Sequence, residues 1–483
     1  MDLLMTRQAF RRLRLLTVAV LALGSTCTLI NGSGFEECTA DRECGGSGVC
    51  IQRYCLPLPA QCRLVGSPDP VNPIRLVALL PLSEMIDGGT DINDDSEIAG
   101  LNAIELAVED VNGSAGINNR LFSLYRCNTR RNSETLVEQA TWAVTQLGVP
   151  AVITSGSGQT LAAAGAPALI DAGTMIISAT ATSPELIGTF QRSGSTWRVA
   201  PPDTLQVRVM ANTLLAELEY SGASTMAVLY EDSSYGRGIA SILRERLVAL
   251  GKTSEIRSYT KPVNTSMATS FLETFHRSAP DAGAGPGPKA TVFVGFPSEI
   301  VPVIAAASTN PTLSYAAGHR WFFSDSAKDP AIVTSQTLGQ LRGALGTTPA
   351  QGTGTAYADF RSRYRDRFRI DANDFSFTSH SYDAAFLVML GAAYATRDNG
   401  ALTGGRISEA LTKVSVGTGT SFRLSPMTWR DASAALAAGR SVNLDGTSGQ
   451  LDFDLDAGAP ASPYEVWQVT DGGSFTTVRL VNP

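Results

Sequence analysis

The sequence predicts an α/β protein of two lobes, each built on a doubly wound parallel sheet, behind a small Cys-rich segment. The chain of 483 residues is longer than one hydrophobic core usually serves, which favours two compact lobes. From Ile74 onward, strand-like apolar runs alternate with helical patterns, as in doubly wound sheets with right-handed crossovers. Five of the seven cysteines lie between residues 38 and 62 and mark the Cys-rich segment.

Residues 1–27 have the features of an export signal. Four arginines between residues 7 and 14 precede an apolar run from Leu15 to Gly24, and small residues then lead to Cys27. This run reaches about half of a hydrocarbon core, so a retained membrane helix is the weaker alternative. The segment Leu23–Cys27 resembles a bacterial lipobox whose leucine stands one position too far upstream. We expect lipidation of Cys27, and plain cleavage after Gly24 is the alternative.

The odd number of cysteines favours the lipoprotein interpretation. With Cys27 acylated, six cysteines remain, enough for three disulfides in an oxidising compartment. A zinc site is the competing interpretation, but the chain has no CxxC pair and no histidine before His276. The pairing is not predicted from the sequence, and Cys127 in the next domain is a candidate partner for the Cys-rich segment.

Residues 28–73 are predicted to hold the Cys-rich module and a linker, because Cys62–Pro73 is rich in Pro and Gly. The run Ile74–Leu80 is a strand apolar enough to be buried on both faces, and an amphipathic helix with Ile98 and Leu101 on its apolar stripe follows. The segment Ala279–Lys289 is predicted to be a surface loop. Further strands are expected at Ala151–Thr154, Thr174–Ser178, Met226–Tyr230, Thr291–Phe296 and Trp321–Ser324.

Charge and motifs weigh against a nucleic-acid partner and against an enzyme. The net charge is −7 and the pI is near 5.2, and the one dense basic run after the start, Arg361–Arg369, is expected to coat a helix facing water. The chain has three histidines and no GxSxG, HExxH or P-loop motif. The paired carboxylates Asp94 and Asp95 are expected to face water. No catalytic residue, cofactor or metal is predicted.

Polar residues follow several predicted strands, where open parallel sheets place their ligand crevice. Ser155–Gln159 opens a helix after the strand Ala151–Thr154, and free amides there suit an anionic group such as a carboxylate. Ala179–Pro184 brings alternating hydroxyls after the next strand. Helix capping is the alternative for both segments. Glu231–Gly236 and Pro297–Glu299 come after later strands and also fit ordinary strand-to-helix turns.

Taken in order, these pieces resemble the branched-chain amino-acid binding family of type 1 periplasmic solute-binding proteins. The resemblance spans roughly four hundred residues, and its most specific parts are the Ala-Thr-Ser-Pro and Tyr-Gly-x-Gly stretches. It implies two lobes joined by a three-segment hinge, with residues 74–203 plus 347–450 in lobe 1 and 204–346 plus 451–483 in lobe 2. The motifs that carry it are Ala99-Gly100, Glu105–Asn112, Gly116–Arg120, Ser178–Leu186, Tyr230–Gly238, Tyr382–Ala384 and Gly446–Phe453.

The resemblance also implies a ligand site. Ser157, with Ser155 or Gly158 as alternatives, and the loop residues Thr180 and Thr182 would hold a ligand carboxylate. The implied residues of the second lobe are Tyr235 across the ligand, Phe296 in place of a tyrosine that many relatives have, and Asp325 on the ligand ammonium. For Asp325, a helix N-cap is the alternative.

We therefore expect an exported, anchored binding protein of the periplasm or outer cell surface. It captures a small amino-acid-like ligand for an ABC importer, or serves as a sensory or surface receptor of the same fold. An enzyme is the least favoured class.

Overall fold

A computed structural model describes residues 36–65, 72–86, 90–217, 220, 225–261, 263–277, 290–310, 313–414 and 419–482. The predicted export signal with Cys27 and the predicted loop Ala279–Lys289 lie outside these residues. The described chain divides into a small unit that ends at Leu58 and a large unit that begins at Pro59.

The small unit is held together by disulfides rather than by an apolar core. A 3-10 turn at Asp41–Cys44 precedes the antiparallel strands β1 (Gly48–Ile51) and β2 (Tyr54–Pro57). Cys38 pairs with Cys50, and Cys44 pairs with Cys55. A segment this short buries too little apolar surface to fold without such cross-links.

The large unit contains two sheets, as the alternating pattern predicts. The first sheet has the order β10-β9-β8-β4-β7-β3, and every pair is parallel except β3 with β7. Its central strand β4 is buried along almost its whole length, because helices cover both faces of the sheet. The strands are β3 (Cys62–Val65), β4 (Ile74–Leu80), β7 (Phe122–Asn128), β8 (Ala151–Thr154), β9 (Met175–Ser178) and β10 (Thr196–Arg198).

The second sheet has the order β12-β11-β13-β14-β15-β20-β21. Its first five strands run parallel, and the last two pair antiparallel at one edge. The predicted boundary between residues 346 and 347 falls inside β15, and the lobe boundaries stay a prediction. The strands are β11 (Thr225–Glu231), β12 (Thr253–Tyr259), β13 (Ala290–Val294), β14 (Arg320–Phe323), β15 (Leu345–Pro349), β20 (Tyr464–Val469) and β21 (Phe475–Val481).

All the strands predicted from apolar runs form, with ends shifted by no more than two residues. The predicted linker Cys62–Pro73 begins instead with β3, which pairs with β7. A disulfide between Cys62 and Cys127 joins these two strands, so the suggested pairing of Cys127 with the Cys-rich segment is confirmed.

Three short strand pairs lie outside the two sheets: the hairpin β5 (Ser83–Ile86) and β6 (Thr90–Asn93), the parallel pair β16 (Thr420–Arg423) and β17 (Val442–Asp445), and the pair β18 (Phe453–Asp454) and β19 (Ala459–Pro460).

Helices cover the sheets. They are α1 (Asp95–Gly113), α2 (Ser133–Thr145), α3 (Ser157–Ala164), α4 (Pro167–Asp171), α5 (Glu185–Ser193), α6 (Asp203–Ala216), α7 (Ser234–Ala249), α8 (Thr265–Arg277), α9 (Pro297–Ser308), α10 (Leu338–Leu341), α11 (Thr355–Phe368), α12 (Thr378–Ala395), α13 (Gly404–Val414) and α14 (Trp429–Ala437). Among the described residues, none of these helices has both the length and the hydropathy of a membrane span.

Helix α12 is buried on every side, as its largely apolar composition requires. Its Asp383 carboxylate accepts hydrogen bonds from the backbone and side chains of Thr447 and Ser448. A Cβ at Gly100 of α1 would stand 3.0 Å from the hydroxyl of Ser381, so this glycine lets α1 and α12 pack closely. The sequence motifs that contain Gly100, Asp383 and Thr447 therefore hold α12 against its neighbours.

The arginine run lies on α11, as predicted, but three of its side chains are occupied by acidic partners. Arg361 pairs with Asp371, Arg363 pairs with Asp110 of α1, and Arg367 lies 3.0 Å from Glu109. The basic stripe therefore ties α11 to α1 and is not a solvated face alone.

Candidate functional site

A cleft lies where loops from the carboxyl ends of both sheets meet. Five of the six side chains predicted to bind ligand line it. They are Ser157 after β8, Thr180 after β9, Tyr235 after β11, Phe296 after β13 and Asp325 after β14.

Ser157 begins helix α3 and fastens the neighbouring loop. Its Oγ accepts the backbone N–H of Thr182 at 3.2 Å and that of Ser183 at 3.1 Å. The preceding Gly156 has φ 73°, a left-handed conformation that glycine adopts at no steric penalty, and it turns the chain from β8 into α3. Thr182 itself is fully buried and does not line the cleft, unlike the other five predicted residues.

Thr180 belongs to a chain of hydrogen bonds that crosses the first-sheet side of the cleft. The backbone N–H of Gly156 donates to Thr180 Oγ1 at 2.7 Å, and this oxygen lies 2.7 Å from Ser155 Oγ. Ser155 in turn donates to Glu97 Oε1 at 2.7 Å. The chain thus connects the amides at the start of α3 to a carboxyl group on α1.

Tyr235 and Asp325 face each other on the second-sheet side. The Tyr235 hydroxyl donates to Asp325 Oδ1 at 2.5 Å, and Gln206 Nε2 donates to the same oxygen at 3.2 Å. Burial raises the pKa of Asp325, and burial together with the Asp325 charge raises the pKa of nearby Asp203. Two buried carboxyls close together favour keeping a proton on one of them, and a ligand cation there would relieve this repulsion.

Phe296 forms an aromatic wall that carries two cations. The Arg131 guanidinium lies 4.3 Å from the ring centroid, and the Lys261 ammonium lies 4.6 Å from it. Lys261 also pairs with Glu299 at 3.1 Å and with Glu84 at 3.5 Å. The Phe296 wall is therefore backed by charged groups that reach from both sheets.

Three acidic residues of the cleft were missed at the level of sequence. Asp94 was expected to face water; it lines the cleft, caps α1 by accepting the N–H of Glu97 at 3.0 Å, and pairs with Arg131. Its neighbour Asp95 is exposed, as expected. Glu97 and Asp329 also line the cleft. The signal for Asp94 was its place as the N-cap of α1, and that for Glu97 was its place in the first turn; helix capping explains both equally well.

The pKa values of two of these carboxyls are raised. Burial and the nearby Asp94 charge raise the pKa of Glu97 to about 8, although Arg131 and the Ser155 hydroxyl act the other way. Burial raises the pKa of Asp329 to about 7, with Asp94 and Asp95 contributing. The cleft therefore favours the neutral, protonated form of both carboxyls.

The start of α12 closes a further side of the cleft. Phe377 has φ 66°, a left-handed conformation that strains a bulky residue by about 1–3 kcal/mol. Ser376 donates to the carbonyl of Asp325 at 2.9 Å and so joins this segment to the second-sheet side. His380 on the same helix does not line the cleft, and burial lowers its pKa to about 3, which keeps it neutral.

The fold and the cleft together are typical of a protein that binds a small molecule. Two parallel sheets present polar loops to one cleft, with hydroxyls and helix amides on one side and a buried carboxylate on the other. Such a site is suited to enclosing a small polar ligand.

The comparisons with known proteins agree with this class. The family model described as "Receptor family ligand binding region" matches residues 99–472, and the chain belongs to that family. A chemotactic signal transduction system substrate-binding protein, BasB of Halobacterium salinarum, is 26% identical over 410 residues, which cover 85% of this chain and 90% of that protein.

Two solved structures share the fold. The leucine-binding protein LivK of Thermotoga maritima has a TM-score of 0.65 at 17% identity, covering 85% of this chain and 99% of that one. The branched-chain amino acid transporter substrate-binding protein LivJ of Streptococcus pneumoniae, solved with isoleucine, has a TM-score of 0.64 at 18% identity, covering 85% and 100%. The resemblance to the type 1 periplasmic binding fold is thereby confirmed.

Proposed function

We propose that this chain is an extracytoplasmic binding protein that encloses a small amino-acid-like ligand in its cleft. The observation that carries the proposal is the convergence of Ser157 and Thr180 from the first sheet with Tyr235 and Asp325 from the second. Hydroxyls and the amides at the start of α3 suit a carboxylate, and the Asp325 carboxylate suits an ammonium group. The two ends together recognise a zwitterion.

In this proposal Thr182 contributes through its backbone rather than its side chain. Its N–H holds Ser157 Oγ in position, and its hydroxyl lies beside the Asp203 carboxyl, whose pKa it lowers. Ser157 and Asp325 are 4% and 2% exposed, so a ligand reaches them only when the two sides of the cleft separate. This supports a hinge between the predicted lobes, with closure after the ligand enters.

A thermal-shift screen with amino acids and related amides tests the proposal. A ligand that binds only the folded form stabilises it by about 2.7 kcal/mol at a hundredfold excess over the dissociation constant. Asp325→Ala should abolish the shift given by amino acids, whereas Asp471→Ala, at an exposed turn, should leave it unchanged. The proposal fails if no zwitterion raises the melting temperature while an unrelated solute does.

We propose that the bound form serves an ABC importer, because LivJ of Streptococcus pneumoniae is described as the substrate-binding protein of a branched-chain amino acid transporter. Sensing is the second candidate, and the match to BasB favours it, because that protein is described as part of a chemotactic system. Neighbouring permease and ATPase genes would favour import. An adjacent kinase or receptor gene would favour sensing.

Export and lipid anchoring are part of the proposal. The three disulfides use six of the seven cysteines and fit an oxidising compartment. The seventh, Cys27, stays the predicted site of acylation. Membrane fractionation of cells that produce the Cys27→Ser variant tests this, because the anchored protein should move from the membrane to the soluble fraction.

A further inference from the structure

The cleft is more acidic than capture of a simple zwitterion requires. Its lining includes four carboxyl groups, and within the described chain it includes no Lys, Arg or His side chain. Asp325 is the proposed partner of the ligand ammonium, and three further carboxyls remain. They belong to Asp94, Glu97 and Asp329.

The local partners of these carboxyls differ. Asp94 is occupied, because it caps α1 and pairs with Arg131. Glu97 accepts one hydrogen bond, from Ser155, on Oε1. Asp329 accepts one, from the N–H of Ala331, on Oδ1. In the described part of the chain, the second oxygen of Glu97 and that of Asp329 accept no hydrogen bond.

Asp329 is a buried carboxyl of the cleft that does not belong to the acidic start of α1. It lies in the segment after β14 on the second-sheet side, is 2% exposed, and lines the cavity with one oxygen unsatisfied. A carboxylate buried this deeply is costly unless a cation or several donors meet it. The charges that act on it are the acidic Asp94 and Asp95, which make the need for a cation greater.

The cation that acts on Glu97 is already committed elsewhere. Arg131 pairs with Asp94, lies 3.7 Å from Glu84 and stacks on the ring of Phe296. Its charge offsets only part of the rise in the pKa of Glu97. Glu97 and Asp329 can therefore stay neutral by holding a proton, or can ionise when a molecule in the cleft brings a cation.

We propose that the ligand is an amino acid whose side chain ends in a second cation, and that Glu97 and Asp329 form the subsite for that cation. This inference rests on the proposed function and adds the chemical class of the ligand side chain. Phe296 and Phe377 line the cleft and supply apolar surface for the aliphatic stem of such a side chain.

Because the pKa values of Glu97 and Asp329 are raised, to about 8 and about 7, binding of a cationic ligand should also change their protonation. At pH 7 the empty cleft holds Glu97 mainly protonated and Asp329 about half protonated. A cation beside either carboxyl favours its charged form and lowers its pKa. Both ligands place an α-ammonium beside Asp325, so at pH 7 binding of the cationic ligand should release up to about one proton more than binding of the neutral analogue.

Isothermal titration calorimetry with lysine, ornithine and arginine against norleucine tests the proposal on the unmodified protein. Norleucine matches the lysine stem without its terminal ammonium. At least one cationic ligand should bind about 10- to 100-fold more tightly than norleucine, the factor expected for one charge-assisted hydrogen bond. Titrations in two buffers of different ionisation enthalpy should give the released proton.

Substitutions of Glu97 and Asp329 test the role of each carboxyl in binding the cation. Glu97→Gln and Asp329→Asn should each lower the affinity for the cationic ligand by about 10- to 100-fold and change norleucine binding by no more than about threefold. Glu138→Gln on the exposed face of α2 is the matched control and should change neither. The melting temperature of each variant without ligand checks that it is folded.

The outcomes separate the two proposals. If norleucine binds as tightly as every cationic ligand, or if the cationic ligands release no more protons than norleucine does, the cation subsite is wrong and the amino-acid site stands. A neutral ligand that hydrogen-bonds protonated Glu97 would give that result. If no amino acid binds, both proposals fail.

Discussion

The buried ion pair between Lys328 and Glu465 gives the sharpest stability prediction. Lys328 Nζ lies 2.7 Å from Glu465 Oε2, and the two side chains are 1% and 4% exposed. Thr477 donates to the other oxygen of Glu465 at 2.7 Å. Lys328 follows the short turn that carries Asp325, so the pair fastens this turn to strand β20.

Lys328→Met should lower the free energy of unfolding by about 3–5 kcal/mol, because it leaves the Glu465 carboxylate buried without its counter-charge. Glu465→Gln should have a similar effect through the stranded ammonium. The double variant removes both charges and should be less destabilised than either single variant, which gives a coupling energy of about 2 kcal/mol or more. Lys413→Met, which removes a lysine with no ion pair among the described residues, should stay within about 0.5 kcal/mol.

Urea unfolding followed by tryptophan fluorescence measures these changes in the large unit, because all five tryptophans follow Pro59. The reasoning is refuted if a single variant loses less than about 1 kcal/mol, or if the losses of the two single variants simply add in the double variant. Either result would mean that water reaches the pair and supplies the solvation that the structure denies it.

Three further predictions concern the disulfide, the tyrosine and pH. Replacing Cys62 and Cys127 by Ser should lower the unfolding free energy by about 4 kcal/mol, because the disulfide closes a loop of 65 residues. Urea titration measures this loss, and an unchanged unfolding midpoint would contradict the prediction. Tyr235→Phe should weaken amino-acid binding about 10- to 100-fold in calorimetry by removing the hydroxyl that orients Asp325, and full affinity in this variant would exclude that role. The pKa of Glu97 is raised on folding, so its stabilising effect is complete below pH 4.5 and is lost as the pH rises through about 8. The stability difference between the wild type and Glu97→Gln should follow this course in thermal unfolding at several pH values, and a flat difference would show that the carboxyl is solvated.

The sequence was sufficient for several strands whose residues are uniformly buried. Ile74–Leu80 is buried on both faces, so its apolar run was visible without knowledge of any neighbour. The same is true of Ala151–Thr154 and Met175–Ser178. The edge strand Thr253–Tyr259 was missed because its residues alternate irregularly between exposed and half-buried positions, a pattern that only its pairing with β11 resolves.

The candidate site was predictable only in part. The resemblance singled out Ser157, Thr180 and Asp325, and the structure brings them to one cleft beyond the carboxyl ends of the strands. It did not tell which hydroxyl of a loop faces the cleft, so Thr182 was expected beside Thr180. Glu97 follows the short hairpin strand β6 and no strand of the two large sheets. Its place in the cleft depends on how α1 packs against the loop after β8, which no local pattern encodes.

For the proposed ligand, the hydrogen-bond chain from Gly156 through Thr180 and Ser155 to Glu97 predicts thermodynamic coupling between the two ends of the molecule. A carboxylate that takes the Thr180 hydroxyl changes what Ser155 offers to Glu97, and so changes how strongly Glu97 attracts a cation. Deleting the carboxylate and deleting the distal ammonium of one ligand should therefore give affinity losses that do not sum. The affinity of such a cleft then depends on both ends of the ligand together. A fragment that carries one end would bind more weakly than its own contacts suggest.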